Sequence, residues 1–378
     1  MNPASTRPDD PAGLPLRPEL VGQSPYGAPQ LDVPHRLNVN ENPYPPSAAM
    51  VADVAAAVGQ AARGLNRYPD RDARGLRADL AAYIASDVPA GPVISEDNLW
   101  AANGSNEIMV QLLQAFGGPD RVALSFAPTY SMYPDYCRNT FTGYRTLPRR
   151  RDFTIDLEAA LEYIGDEQPD VVLVASPNNP SGTAVPLADV DALCGAARGM
   201  VVVDEAYAEF RRPGTPSAIE LLDVHPRLVV TRTMSKAFAL AGARLGYLVA
   251  GPQVVDAVQL VRLPYHLSAV TQAVARTALQ HAPELLGSVA ALRAERDALV
   301  TWLGDQPGLV AADSDANFVL FGRFVDRDDV WTRLLSRGVL VRATGPEGWL
   351  RVSAGTPGEM AAFRDALTAS IAAGDIIT

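Results

Sequence analysis

From about residue 100 onward, short unbroken apolar runs alternate with longer stretches whose apolar positions recur every three to four residues. The runs at 122–126, 171–175, 200–203, 228–231 and 247–250 are rich in Val and Leu and predict strands buried on both faces. Between them, 108–116, 156–164 and 187–197 have helical length and spacing. Such alternation predicts an α/β fold with a largely parallel sheet covered by helices. Two helical stretches, 50–60 and 75–85, flank the loop Asn66-Arg67-Tyr68-Pro69-Asp70.

Residues 1–34 are rich in Pro, Gly and polar residues and read as an extended arm. A long helical stretch at 269–302 leads into a smaller region, with strands expected at 316–321, 339–342 and 349–352 and a helix at the end. The expected organisation is therefore an arm (1–34), a large domain (35–265), and a linking helix with a small α+β domain (266–378).

Composition narrows the function. The chain has 378 residues and a formal net charge of -11, which argues against general affinity for nucleic acid or anionic membrane. No apolar run is long enough to span a bilayer, and the N-terminal residues MNPASTRPDDPAG have no apolar core of a secretory signal, so a cytoplasmic enzyme is expected. Cys137 and Cys194 cannot build a disulfide framework and read as small buried hydrophobes, and no metal-ligand spacing is present. Of 32 basic residues, 31 are arginine and one, Lys236, is lysine. Arginine keeps its proton near neutral pH, so Lys236 is the only side chain able to act as an amine nucleophile. A compositional bias toward arginine would also leave a single lysine.

In open α/β sheets, ligands bind beyond the carboxyl ends of the strands, and several polar clusters fall there. Asn103-Gly104-Ser105-Asn106-Glu107 opens a helix, as an N-cap or as a phosphate site. Ser176-Pro177-Asn178-Asn179-Pro180-Ser181-Gly182 follows a predicted strand and could be a turn. Asp204-Glu205-Ala206-Tyr207 puts a carboxylate at a strand tip, and a buried carboxylate needs a cationic partner. Thr233, Ser235 and Lys236 follow the next strand, with Arg244 close behind. An amine, two hydroxyls and a guanidinium make a site for an aldehyde that carries a phosphate.

The segments SPNNPSG, VVVDEAY and TRTMSKAFALAGARLG, in this order, resemble the fold-type I aminotransferases that use pyridoxal 5'-phosphate (PLP), and most closely the histidinol-phosphate aminotransferase family. The resemblance runs from about residue 14 to the end of the chain. It implies a large domain with a mostly parallel sheet, a smaller α+β domain, and an active homodimer. It implies that Lys236 forms a Schiff base with PLP, that Asp204 bonds the pyridine nitrogen, and that Asn179 and Tyr207 bond the ring's 3'-oxygen. Tyr130, otherwise an ordinary core aromatic, stacks on the ring in this reading. Ser105, Asn106, Thr233, Ser235 and Arg244 take the cofactor phosphate, and Tyr68 reaches the phosphate bound by the partner subunit.

For the substrate, the resemblance points to Arg351 and Arg342, with Tyr26 and Asn179, as a clamp for carboxylate or phosphate. Read without the family, Arg342 could equally form a surface salt bridge, and Arg351 less readily so. Asn40 and Glu41 lie where the family's N-terminal segment enters the site, and the four histidines match no role. The reaction implied is amino transfer between L-histidinol phosphate and 2-oxoglutarate, giving imidazole acetol phosphate and L-glutamate in histidine biosynthesis. An aromatic amino acid aminotransferase and a phosphothreonine decarboxylase-type lyase are the alternatives on this framework. A DNA-binding regulator is disfavoured because the arm has no room for a helix-turn-helix.

Overall fold

Valine-rich strand segments in the middle of the chain are buried along their whole length, as unbroken apolar runs require. The computed structural model describes residues 14–371 and 375–376. It divides into a unit ending at Asp32 and a second unit starting at Val33. Among the described residues of the first, a short helical turn spans Pro18–Leu20; the first 13 residues of the expected arm lie outside the described residues.

In the second unit the chain runs β1 (His35–Arg36), α1 (Ala48–Ala62), α2 (Arg74–Asp87), β2 (Leu99–Ala102), α3 (Ser105–Phe116), β3 (Val122–Ala127), α4 (Tyr133–Asn139) and β4 (Gly143–Pro148). It continues with α5 (Leu157–Glu167), β5 (Val171–Ala175), α6 (Leu187–Ala196), β6 (Met200–Asp204), β7 (Leu228–Thr233), β8 (Gly246–Ala250) and α7 (Pro252–Val261). Then follow α8 (Ala269–Gln280), α9 (Ala282–Gly304), β9 (Val310–Ala311), β10 (Phe318–Gly322) and α10 (Arg327–Ser336). The last elements are β11 (Val339–Leu340), β12 (Arg342–Ala343), β13 (Trp349–Ser353) and α11 (Pro357–Ser370).

The main sheet has the order β2-β8-β7-β6-β5-β3-β4, and β8 alone runs against the others. This is the α/β architecture expected, a mostly parallel sheet with helices between its strands. Its register brings Ala175, Asp204 and Thr231 level, and Thr233 level with Gly246 at the start of β8 and, through it, with Ala102. The carboxyl ends of β2, β5, β6 and β7 thus share one edge. A second sheet, β12-β13-β10-β9, is antiparallel throughout, and β1 pairs in parallel with β11.

Two expectations need correction. The helical stretch at 269–302 is two helices, α8 and α9, separated at His281. Pro283 sits in the first turn of α9, where its missing N–H does no harm, and cannot extend α8. The single strand expected at 339–342 is two short ones, since the chain changes sheets at the buried Val341, whose carbonyl accepts the indole N–H of Trp331 at 2.8 Å. Cys137 and Cys194 are free and buried, as apolar packing residues.

Candidate active site

Asp204 ends β6, the strand Met-Val-Val-Val-Asp, so its carboxylate emerges from the most apolar part of the sheet. Its Oδ2 accepts from the hydroxyl of Tyr133 at 3.0 Å, and its Oδ1 accepts from the Ala206 amide at 3.2 Å and the Thr231 hydroxyl at 3.4 Å. Among the described residues no guanidinium, amine or imidazole pairs with it. Loss of water pushes its pKa up to about 6, against the pull of those hydrogen bonds.

The neighbouring Glu205 is the contrasting case. Although burial works to raise it, Arg211 and Arg232 hold its carboxyl below the ordinary range. Arg232 donates to Glu205 from Nε at 3.0 Å and to Asp87 at 2.6 Å. Two adjacent carboxylates therefore differ in kind: Glu205 is neutralised within the fold, whereas Asp204 calls for a cation from outside it.

Lys236 lies three residues past β7, and its Nζ donates to the carbonyl of Val39 at 2.8 Å. No carboxylate forms an ion pair with it among the described residues. Desolvation, followed by the repulsion of Arg351, lowers its pKa to about 8, with Glu41 opposing. An amine so placed loses its proton far more readily than a surface lysine, as attack on a carbonyl carbon requires.

A cradle for an anion lies on the same edge of the sheet. Ser105 and Asn106 open α3, whose first amides have no helical partner. Gly104, at φ +85°, turns the chain into this helix; a Cβ there would stand 2.9 Å from the guanidinium of Arg244. A Cβ on Gly246 would stand 2.1 Å from the Ser105 nitrogen, so both glycines permit the close approach of helix start, strand and arginine. Arg244 donates to Ser235 Oγ at 3.3 Å, and the Thr233 and Ser235 hydroxyls are 3.0 Å apart. A guanidinium, hydroxyls and a helix N-terminus together suit a phosphate group. Tyr130 faces the same helix start, its hydroxyl 3.5 Å from Asn106 Oδ1.

A third group gathers around Tyr207. Its hydroxyl accepts from Asn40 Nδ2 at 3.0 Å and from Asn179 Nδ2 at 3.5 Å. Asn179 Oδ1 in turn accepts from Arg351, whose other terminal nitrogen donates to the Asn38 carbonyl at 2.9 Å. The Arg351 guanidinium lies 5.0 Å from the ring of Phe318 and is buried. Arg342 is the cross-strand partner of Arg351, so two guanidinium side chains occupy opposed positions on β12 and β13.

The structure thus joins Lys236, Asp204, Tyr207, Asn179, Arg351 and the cradle residues around one strand edge. Tyr68, expected at the partner subunit's cofactor, is 79 % exposed and stacks on Tyr265 at 4.3 Å, and Tyr26 belongs to the N-terminal unit. Sequence reading passed over Tyr133, and it placed Asn40 by position alone. Tyr133 carries a weak signal, a second tyrosine three residues after Tyr130 at a helix start with Pro134. His225 and His281 pair with the acidic residues Asp191 and Asp53, and His266 meets the carbonyl of Ala101.

Residues 34–367 match the family model for class I and II aminotransferases. The chain is 61% identical to the histidinol-phosphate aminotransferase of Thermobifida fusca (strain YX), a similarity covering 94% of this chain and 95% of that one. It is 60% identical to histidinol-phosphate aminotransferase 3 of Burkholderia lata, with the same coverage of 94% and 95%. The crystal structure of histidinol-phosphate aminotransferase from Sinorhizobium meliloti in complex with pyridoxal-5'-phosphate superposes with a TM-score of 0.78 at 26% identity, covering 89% of this chain and 91% of that one.

Proposed function

The chain belongs to the class I and II aminotransferase family, and from that premise we propose that it transfers the amino group of L-histidinol phosphate to 2-oxoglutarate, yielding imidazole acetol phosphate and L-glutamate. The observation that carries this reading is the presence together of a lone, desolvated lysine and a buried carboxylate that has no cation of its own, on a chain about 60% identical to enzymes of that name.

The cofactor is pyridoxal 5'-phosphate, and the residues fit it. The unpaired Asp204 matches a protonated ring nitrogen, and the glycine-lined cradle of Ser105, Asn106, Thr233, Ser235 and Arg244 matches a phosphate. When bound, this cofactor supplies an aldehyde that captures amino groups and a ring that draws electron density from the carbon losing its proton. Asp204 would hold the proton on the ring nitrogen, and Tyr130 would cover one face of the ring. Tyr207 and Asn179 would donate to the ring's oxygen. Lys236 would hold the aldehyde carbon, and its Nζ would carry the proton to and from the substrate carbon.

Arg351 and Arg342 would hold the substrate's anionic end, a phosphate in one half-reaction and a carboxylate in the other. A planar fork of N–H donors accepts either group. The exposed Tyr68 supports a homodimer in which this phenol reaches the partner's cofactor phosphate. Residues 35–265 would form the cofactor domain and 266–378 the small domain, in a cytoplasmic enzyme; among the described residues no helix is long and apolar enough to cross a membrane.

Holoenzyme mixed with L-histidinol phosphate and no keto acid should convert its visible absorbance to the pyridoxamine form in a single turnover. Histidinol phosphate should surpass phenylalanine in kcat/KM by at least about tenfold, the factor set by ~1.4 kcal/mol of additional binding to the arginine pair. A wide preference for phenylalanine would overturn the substrate assignment.

A further inference from the structure

Three successive residues, Asn38, Val39 and Asn40, each touch a different functional side chain. The Asn38 carbonyl accepts from Arg351, the Val39 carbonyl from Lys236 at 2.8 Å, and the Asn40 side chain donates to Tyr207 at 3.0 Å. Asn40 is itself fixed at every polar atom. Its amide N–H donates to Ser353 Oγ at 2.9 Å, its Oδ1 accepts from the same hydroxyl at 3.1 Å, and its carbonyl accepts from Asn317 Nδ2 at 3.0 Å.

The backbone at Asn40 is left-handed, with φ +57°, and the residue is 2 % exposed. Asparagine tolerates this conformation better than most residues, and here it turns the side-chain amide toward the phenol. Of the two amides reaching Tyr207, that of Asn40 is the closer, at 3.0 Å against 3.5 Å for Asn179. A phenol oxygen that accepts an N–H bond is a stronger donor through its own proton, because the accepted bond draws electron density from it.

We propose that Asn40 is a positioning residue for Tyr207: its amide fixes the phenol and strengthens the hydrogen bond that the phenol gives to the cofactor's ring oxygen. The inference rests on the cofactor reading above. Its effect is on the charge state of the bound cofactor, since a strong donor at the ring oxygen favours the form in which that oxygen is negative. Losing the donor makes the cofactor keep its proton to higher pH.

The test is a pH titration of the holoenzyme's visible absorbance. Asn40→Gly keeps the left-handed backbone without strain and removes only the side chain. Its titration midpoint should rise by ~0.5 to 1 pH unit, up to tenfold in the protonation equilibrium. Asn40→Asp retains the shape and replaces the donor with an acceptor, so its midpoint should rise at least as far; it also serves if the glycine variant does not fold. Asn317→Ala loses a bond to the Asn40 carbonyl and leaves the amide on Tyr207, so it should lower thermal stability with the midpoint unchanged.

An unchanged midpoint in a folded Asn40 variant would overturn the proposal. So would an equal shift in Asn317→Ala, which would assign Asn40 a merely structural part. Wild-type protein that develops no visible band with the cofactor would instead refute the cofactor reading itself.

Discussion

Replacing Lys236 with alanine should abolish turnover, with kcat at least about 10⁴-fold below the parent enzyme, while the fold survives. No neighbour can take over. The other basic side chains of the chain, apart from its four histidines, are arginines, which stay protonated and cannot attack a carbonyl carbon. Single-turnover assays of Lys236→Ala against wild type measure the loss, and appreciable turnover in the variant would contradict the mechanism. Borohydride treatment of wild-type holoenzyme should fix the cofactor to one peptide, that containing Lys236, and leave the variant unlabelled. Because the amine has a pKa of about 8, capture of cofactor by the apoprotein should also accelerate as the pH rises through that value.

The second large effect concerns Asp204, where function and stability should move in opposite directions. Asp204→Asn keeps the size and can still accept from the Ala206 amide, but an amide cannot hold a proton on the ring nitrogen. Turnover should fall by about 10³-fold or more, measured as kcat in steady state. The apoprotein should meanwhile gain stability. A carboxyl raised from 3.8 to about 6 binds protons more tightly in the folded than in the unfolded state. Stability is then lost as pH rises from near 4 to near 6, and at pH 7 the penalty is on the order of 3 kcal/mol. The asparagine variant does not bear it. Urea denaturation of cofactor-free protein should place Asp204→Asn above wild type at pH 7, with the gap closing toward pH 4. An apo variant less stable than wild type at pH 7 would mean that Asp204 is already satisfied within the fold.

Much of this site could be read from the chain because its parts are local. The apolar runs ending at Ala175, Val203 and Thr231 place the residues that follow them on one sheet edge, and a parallel register brings those residues together. Lys236 stood out by being the sole residue of its kind. The start of α3 and Arg244 could be read as candidate anion binders from glycine and hydroxyl placement, and the structure sets them side by side.

What escaped depends on long-range approach. Tyr133 reaches Asp204 across 71 positions, and Asn40 reaches Tyr207 across 167. Nothing in the periodicity of either segment fixes such a distance. The splitting of the strand expected at 339–342 was hidden for a related reason. Val339-Leu340-Val341-Arg342 reads as one continuous strand, and only the choice of partner, β1 for its first half and β13 for its second, divides it.

The solitary lysine also gives the molecule a single point of attack for a lysine-specific protease. The bond after Lys236 leads into Ala237, which is fully buried, so the native protein presents nothing for such an enzyme to grip. Cleavage into two fragments must wait for a molecule to open. The rate of appearance of those fragments is therefore a direct clock for exposure of the catalytic centre, and any ligand that holds this region shut should slow it.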